Sequence, residues 1–330
     1  MATVDTGFRL LAADYLCRHL RKLRSELAGV REGEDPEHLH QARVASRRLR
    51  VALEVFEDCF PAKKARKWRK AVRRLLKTLG PARDKDVQIE FIGGVLSGLR
   101  RKEARAGIAR LLLRLRQERA AVQPAVVKEV RRVERDRLAG CMLVAAKALA
   151  AGVARTEGDI QAPPVLARVG REIQERLEAL IARQDCLQDA SLCEQHHAMR
   201  IAAKRFRYGL EIGKPVFESR LDAAIAAART IQTLLGDVHD CDLWVERLEA
   251  FLEEERERTV RYYGHERPFA RLRPGIEHLC KERSRHRRTA LRRLAAEWTH
   301  LRDQGAWDEL ARLATDSGAG ATGGNPRQAP

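Results

Sequence analysis

Apolar residues recur at three- and four-residue spacing along almost the whole chain, separated by short Gly, Pro and polar clusters. No stretch alternates β-branched and aromatic residues between turn residues, as a sheet requires, so the pattern predicts an all-α fold. The first half reads as a helix over Phe8–Val30, then one capped by Asp35 with Pro36 in its first turn and ending before Pro61. A third spans Ala62–Leu79 and stops at Gly80-Pro81, a fourth opens near Asp84, and two more fill Arg100–Val122 and Ala125–Arg155. After the polar, proline-bearing Thr156–Pro164, helices are predicted over Val165–Arg183, Ala190–Gly213, Glu218–Leu235, Asp240–Tyr263, Pro274–Arg302 and Trp307–Leu313. The expected organisation is a helical unit over 1–155, a linker over 156–164, a second unit over 165–314 and a disordered Gly/Ala/Pro tail over 315–330.

The two units share more than helicity. His40-Gln-Ala-Arg43-Val-Ala-Ser-Arg47-Arg48-Leu-Arg50-Val-Ala-Leu-Glu54 aligns without gaps with His197-Ala-Met-Arg200-Ile-Ala-Ala-Lys204-Arg205-Phe-Arg207-Tyr-Gly-Leu-Glu211. A second block, Leu79-Gly80-x-x-Arg83-Asp84-x-Asp86, recurs as Leu235-Gly236-x-x-His239-Asp240-x-Asp242 at nearly the same offset. Two blocks in constant register mark an internal duplication. The expected architecture is two antiparallel four-helix-type bundles, related by a pseudo-two-fold axis, with a basic central groove.

At about 100° per residue, His40, Arg43, Arg47, Arg50 and Glu54 fall on one stripe, opposite the apolar Ala42, Ala45, Leu49, Ala52, Leu53 and Phe56. Arg48 lies on the flank. The second copy places His197, Arg200, Lys204, Arg207 and Glu211 on the same stripe, with Arg205 on its flank. From its histidine to its last arginine each line of cations runs about 15 Å. A lone arginine stripe is ordinarily a solvated face, but such a face intersperses acids at i+4, and here each stripe has one acid, at its far end. Repelling cations kept twice over point to a bound polyanion.

Charge extends this picture. Lys plus Arg number 64 against 46 Asp plus Glu, for a net charge of +18, which calls for nucleic acid, a membrane surface or a phosphate polymer. The third helix carries cations from Lys63 to Arg83 with no acid before Asp84; Lys70, Arg73 and Lys77 belong to it, and Arg73 aligns with Arg229. Arg285, His286, Arg287, Arg288, Arg292 and Arg293 form a further cluster, read as exposed charge. Seven scattered cysteines without a C-x-x-C pair read as buried, reduced residues, not a disulfide or zinc framework. Met1–Tyr15 lacks a basic segment before its apolar stretch, and the longest apolar run, Cys141–Ala154, is interrupted by Lys147. A cytoplasmic protein without membrane partners is expected.

The pattern H-x-x-R-[VI]-x-x-[RK]-R-x-R followed by L-G-x-x-x-D-x-D, twice in an all-helical basic chain, resembles the conserved histidine α-helical domain, or CHAD, family. The resemblance spans roughly residues 8–313. It implies two four-helix bundles around a basic groove, binding of inorganic polyphosphate and association with polyphosphate granules. It implies binding roles for His40, Arg43, Arg47, Arg48 and Arg50, and for His197, Arg200, Lys204, Arg205 and Arg207. His239 departs from the family's usual arginine, present here as Arg83.

The motif histidines read equally as phosphate donors or as structural hydrogen-bonding groups. Asp84, Asp86, Asp240 and Asp242 read as helix caps or partners of motif arginines, not as metal ligands. No catalytic residue, metal or cofactor is expected. Two rival readings stand: a metal-dependent phosphohydrolase built on His239-Asp240 with His196 or His197, and a nucleic-acid binder. Weak, salt-sensitive nucleic-acid binding is expected of such a surface in any case, but the stripes carry almost no aromatics for base stacking. The oligomeric state is open.

Overall fold

The computed structural model describes residues 5–153 and 159–319. The described residues form ten α-helices, with short 3-10 segments between several of them and no strand: α1 (Thr6–Glu32), α2 (Pro36–Val55), α3 (Ala62–Gly98), α4 (Arg105–Arg135), α5 (Leu138–Val153), α6 (Pro163–Ile181), α7 (Cys193–Phe217), α8 (Asp222–Tyr263), α9 (Arg273–Asp303) and α10 (Ala306–Ala319). Asp35 caps α2 by accepting from the Glu37 amide, with Pro36 in the first turn, as its sequence requires.

Consecutive helices pack on one another from α1 to α4, and α5 returns against α1. The same order runs from α6 to α9, with α10 against α6. The two sets meet where α2 crosses α7 and where α4 crosses α9. The first repeated block therefore lies on one pair of crossing helices. One continuous core draws Phe8, Phe56, Phe206 and Phe217 from both sets, all fully buried, each contributing about 1.5–3 kcal/mol by burial. A second core, at the far ends of α3, α4, α8 and α9, gathers Ile92, Ile108, Leu111, Leu115, Trp244, Leu248, Phe251, Ile276 and Leu279. It too is made by both sets.

The α4–α9 approach depends on glycine. A Cβ on Gly107 would lie 2.1 Å from the Leu272 carbonyl oxygen, and one on Gly275 would lie 2.1 Å from that of Ala104. Each helix thus offers a side-chain-free surface to the backbone leading into the other.

Several expected breaks are absent. α3 runs through Gly80-Pro81, and α8 joins the segments predicted as Glu218–Leu235 and Asp240–Tyr263. Pro124 and Pro215 likewise lie inside α4 and α7. Pro81 faces solvent, while Val72, Leu75 and Leu79 before it and Ala82 and Ile92 after it are buried. Packing on both sides holds the helix through the hydrogen bond that proline cannot make. α10 continues to Ala319, inside the expected tail, because Ala314 packs against Gly170 and the Thr315 hydroxyl bonds back to the Ala311 and Arg312 carbonyls. Positions 156–158 of the expected linker and 320–330 of the expected tail fall outside the described residues.

All seven cysteines are free, but Cys141 and Cys193 are exposed, contrary to the expectation of burial. Among the described residues no helix is long and apolar enough to cross a membrane, and no three His, Cys, Asp or Glu side chains converge as metal ligands would.

Candidate anion-binding groove

The helical periodicity that buries Ala42, Ala45, Leu49 and Leu53 of α2, and Ala202, Ala203, Phe206 and Leu210 of α7, turns the charged stripes toward the crossing of the two helices. Arg47 and Lys204, equivalent in the repeat, are close enough there for Arg47 to depress the Lys204 ammonium. Burial is the foremost cause of that depression, followed by Arg200 and Arg47, with Arg43 adding to it and Asp240 opposing; together they bring Lys204 to about 7. Arg43 and Arg200 also lie below the usual arginine range, chiefly through burial, while Asp84 supports the charge of Arg43 and Asp240 that of Arg200. The two stripes form one crowded cationic site.

Few acids answer these cations. Arg200 approaches Asp240 at 4.0 Å. Arg43 donates to the Leu76 carbonyl at 3.4 Å, over Gly80, where a Cβ would lie 3.0 Å from its Nη1. Arg47 and Arg50 have no hydrogen-bond or ion-pair partner among the described residues, and the buried Nε atoms of Arg47, Arg50 and Arg200 are all unpartnered. Arg207 differs: its Nε donates to Gln232 at 2.6 Å and its Nη1 to Glu211 at 2.5 Å.

The histidines are not equivalent. His40 sits beside Arg83, and burial, Arg83, Arg47 and Arg43 hold its imidazole below the ordinary value against the pull of Glu37. His197 and His239 bring their Nδ1 atoms within 3.2 Å. Burial and then Arg200 depress both, with Lys204 adding to each, and His239 falls to about 4 despite Asp242. Where the first copy offers the cation Arg83, the second offers a neutral imidazole pair. A bound polyanion favours the charged form of each group, so binding takes up protons. Affinity for an anionic polymer is therefore expected to rise as pH falls from about 8 toward 5, first as Lys204 gains its proton on binding and then as the histidines do. Titrations at constant ionic strength check this; an affinity that falls on acidification contradicts it. The unliganded protein behaves oppositely: both imidazoles bind protons more weakly folded than unfolded, so stability is lost as pH falls below 6.5, and for His239 the loss continues to about 4.

The Asp-x-Asp block is not a pair of helix starts. All four aspartates lie inside α3 and α8. The first of each pair, Asp84 or Asp240, balances Arg43 or Arg200. The second ties the next helix: Asp86 accepts from Arg119 at 2.6 Å, and Asp242 from Arg287, which also donates to the Ala190 carbonyl. Partnership with motif arginines thus describes Asp84 and Asp240, and capping describes none of the four.

Arg48 turns to the other flank of α2 and donates to Glu211 of α7 at 3.1 Å, joining the two sets. Arg205, its repeat equivalent, is exposed beside Glu172, Glu175 and Arg176 and is not brought to the stripes. Lys70, Arg73 and Lys77 line an exposed face of α3 without acidic partners among the described residues. Arg229 lies with Arg48 and Glu211 around a separate cavity. Arg83 and His239 join the site although the stripe alone does not point to them; their place in the second repeated block is the signal that does.

The profile of the CHAD domain family matches residues 14–249. A crystal structure of the CHAD domain from the plant Ricinus communis matches with a TM-score of 0.58 at 24% sequence identity, over 86% of this chain and 91% of that one, a likeness of fold. No curated protein sequence matches the chain.

Proposed function

The chain belongs to the CHAD domain family, and on that premise we propose that it binds inorganic polyphosphate, non-catalytically, between the facing stripes of α2 and α7. The observation that carries this reading is the set of cations at the crossing, Arg43, Arg47, Arg200 and Lys204, continued along the α2 stripe by Arg50; Arg47 and Arg50 lack any acidic partner among the described residues. Polyphosphate presents a row of non-bridging oxygens on a flexible chain, and guanidinium forks bind such oxygens by charge-assisted hydrogen bonds. A flexible chain can follow cations that pass from one helix to another where a stiff duplex cannot, and the stripes offer no aromatic platform for bases. Enrichment on polyphosphate granules in the cytoplasm follows from this reading.

Titration with long-chain polyphosphate at about 0.15 M salt tests it, with duplex DNA as competitor and released phosphate assayed with and without Mg²⁺ or Mn²⁺. Tight binding that DNA displaces poorly, with no phosphate released, is the expected result. Equal displacement by DNA reduces the protein to a general polyanion binder, and metal-dependent release makes it a hydrolase.

A further inference from the structure

A cavity of about 510 Å³ lies between α1, α2, α7 and α8, and Glu211 stands on its wall. Glu211 faces both ways, accepting from Arg207 of the stripe and from Arg48 of the cavity wall. Two buried polar side chains line the cavity. Tyr15 is 3% exposed and its hydroxyl has no hydrogen-bond partner. Burial and the nearby Glu211 keep that hydroxyl protonated, so it is a donor without an acceptor. His19, in edge contact with the Tyr15 ring, is held neutral by burial, Arg48 and Arg18.

Most charges around the cavity are paired: Lys214 with Asp222 at 2.6 Å, Arg18 with Asp14 at 2.5 Å and Arg48 with Glu211. The remainder is specific. Arg48 gives only its Nε to Glu211, leaving both Nη groups, and the Arg229 guanidinium has no partner among the described residues. A buried hydroxyl donor, a guanidinium with two free faces and a second unpaired guanidinium suit one compact anion with several acceptor oxygens. Leaving the hydroxyl unsatisfied costs free energy that such an oxygen would relieve.

We propose that this cavity is a pocket for a single phosphate group, held by Tyr15, Arg48 and Arg229, and that it takes either a free phosphate or pyrophosphate ion or the end of a polyphosphate chain. A terminal phosphate has three non-bridging oxygens and a second ionisable charge, which an internal phosphate lacks. The chain-end source rests on the polyphosphate reading; the pocket itself does not.

The test compares wild type, Tyr15→Phe and Arg229→Gln. Tyr15→Phe keeps the buried ring, and Arg229 is exposed, so both variants retain the fold. Each protein is titrated with pyrophosphate, with a short polyphosphate whose ends are free, and with the same chain blocked at both ends as phosphoramidates. Pyrophosphate affinity is expected to fall about tenfold in each variant. A wild-type preference for free ends that disappears in the variants assigns the pocket to chain ends. No such preference, with pyrophosphate binding still lost, assigns it to free phosphate. Pyrophosphate affinity unchanged in both variants overturns the pocket, and continued binding of the blocked chain then leaves the groove reading standing. Failure of the blocked chain to bind wild type counts against the groove, while the pyrophosphate arm still decides the pocket.

Discussion

Reversing Arg43, Arg47 and Arg50 together to Glu is expected to lower affinity for long-chain polyphosphate by at least about 10²-fold at about 0.15 M salt, with helicity unchanged. All three lie on the stripe face of α2, opposite Ala42, Ala45, Leu49 and Leu53, so the core that holds the helix is untouched. The reversal also removes the repulsion that Arg43 and Arg47 exert on Lys204, which raises the proton affinity of Lys204 and does not restore an arginine fork to the site. The control is Arg285, Arg288 and Arg292 reversed on the exposed face of α9. Both triples change net charge equally. If binding depends on the groove and not on total charge, the α9 triple costs only a few-fold; equal losses in the two would show attraction by overall charge. Circular dichroism and a salt titration accompany both.

The largest effect on stability is expected at the α4–α9 crossing. Gly107→Ala places a Cβ 2.1 Å from the Leu272 carbonyl oxygen and Gly275→Ala one 2.1 Å from that of Ala104. The obstacle in each case is backbone, which cannot swing aside like a flexible side chain. Each substitution is expected to destabilise by about 3 kcal/mol, because the helices must separate and open the core around Ile108 and Ile276. Gly94→Ala is the internal comparison: it also lies within a helix, nothing stands within 4 Å of its Cβ, and it should be neutral or stabilising by up to about 1 kcal/mol. Urea unfolding checks all three. Similar small shifts at Gly107 and Gly94 would mean that α4 and α9 are less closely packed than described.

What was legible in the sequence followed from local rules. The 3.6-residue period gives the helices and the face on which His40, Arg43, Arg47 and Arg50 sit, and the second copy makes that face worth attention. Pro81, Pro124 and Pro215 do not end their helices as the local pattern predicts, because proline's penalty is local while the burial that outweighs it comes from neighbouring helices. The Asp-x-Asp block was visible, but its division of labour was not. Asp86 meets Arg119 across 33 residues and Asp242 meets Arg287 across 45, and neither separation has a periodic signature. The link from Arg48 to Glu211 spans 163 residues and joins two segments that align in sequence without being equivalent in their contacts. Arg205, the counterpart of Arg48, shows this: the same motif position faces solvent because the second copy meets a different neighbour.

Whether stripes from α2 and α7 hold one polyphosphate chain is decided by arginine-selective chemical modification read residue by residue with and without long-chain polyphosphate at about 0.15 M salt. Arg43, Arg47 and Arg50 are expected to be protected together with Arg200 at the same polymer concentration, while Arg285, Arg288 and Arg292 remain reactive. Protection confined to one stripe, or protection of the α9 arginines in place of the groove, would contradict a chain held by both stripes.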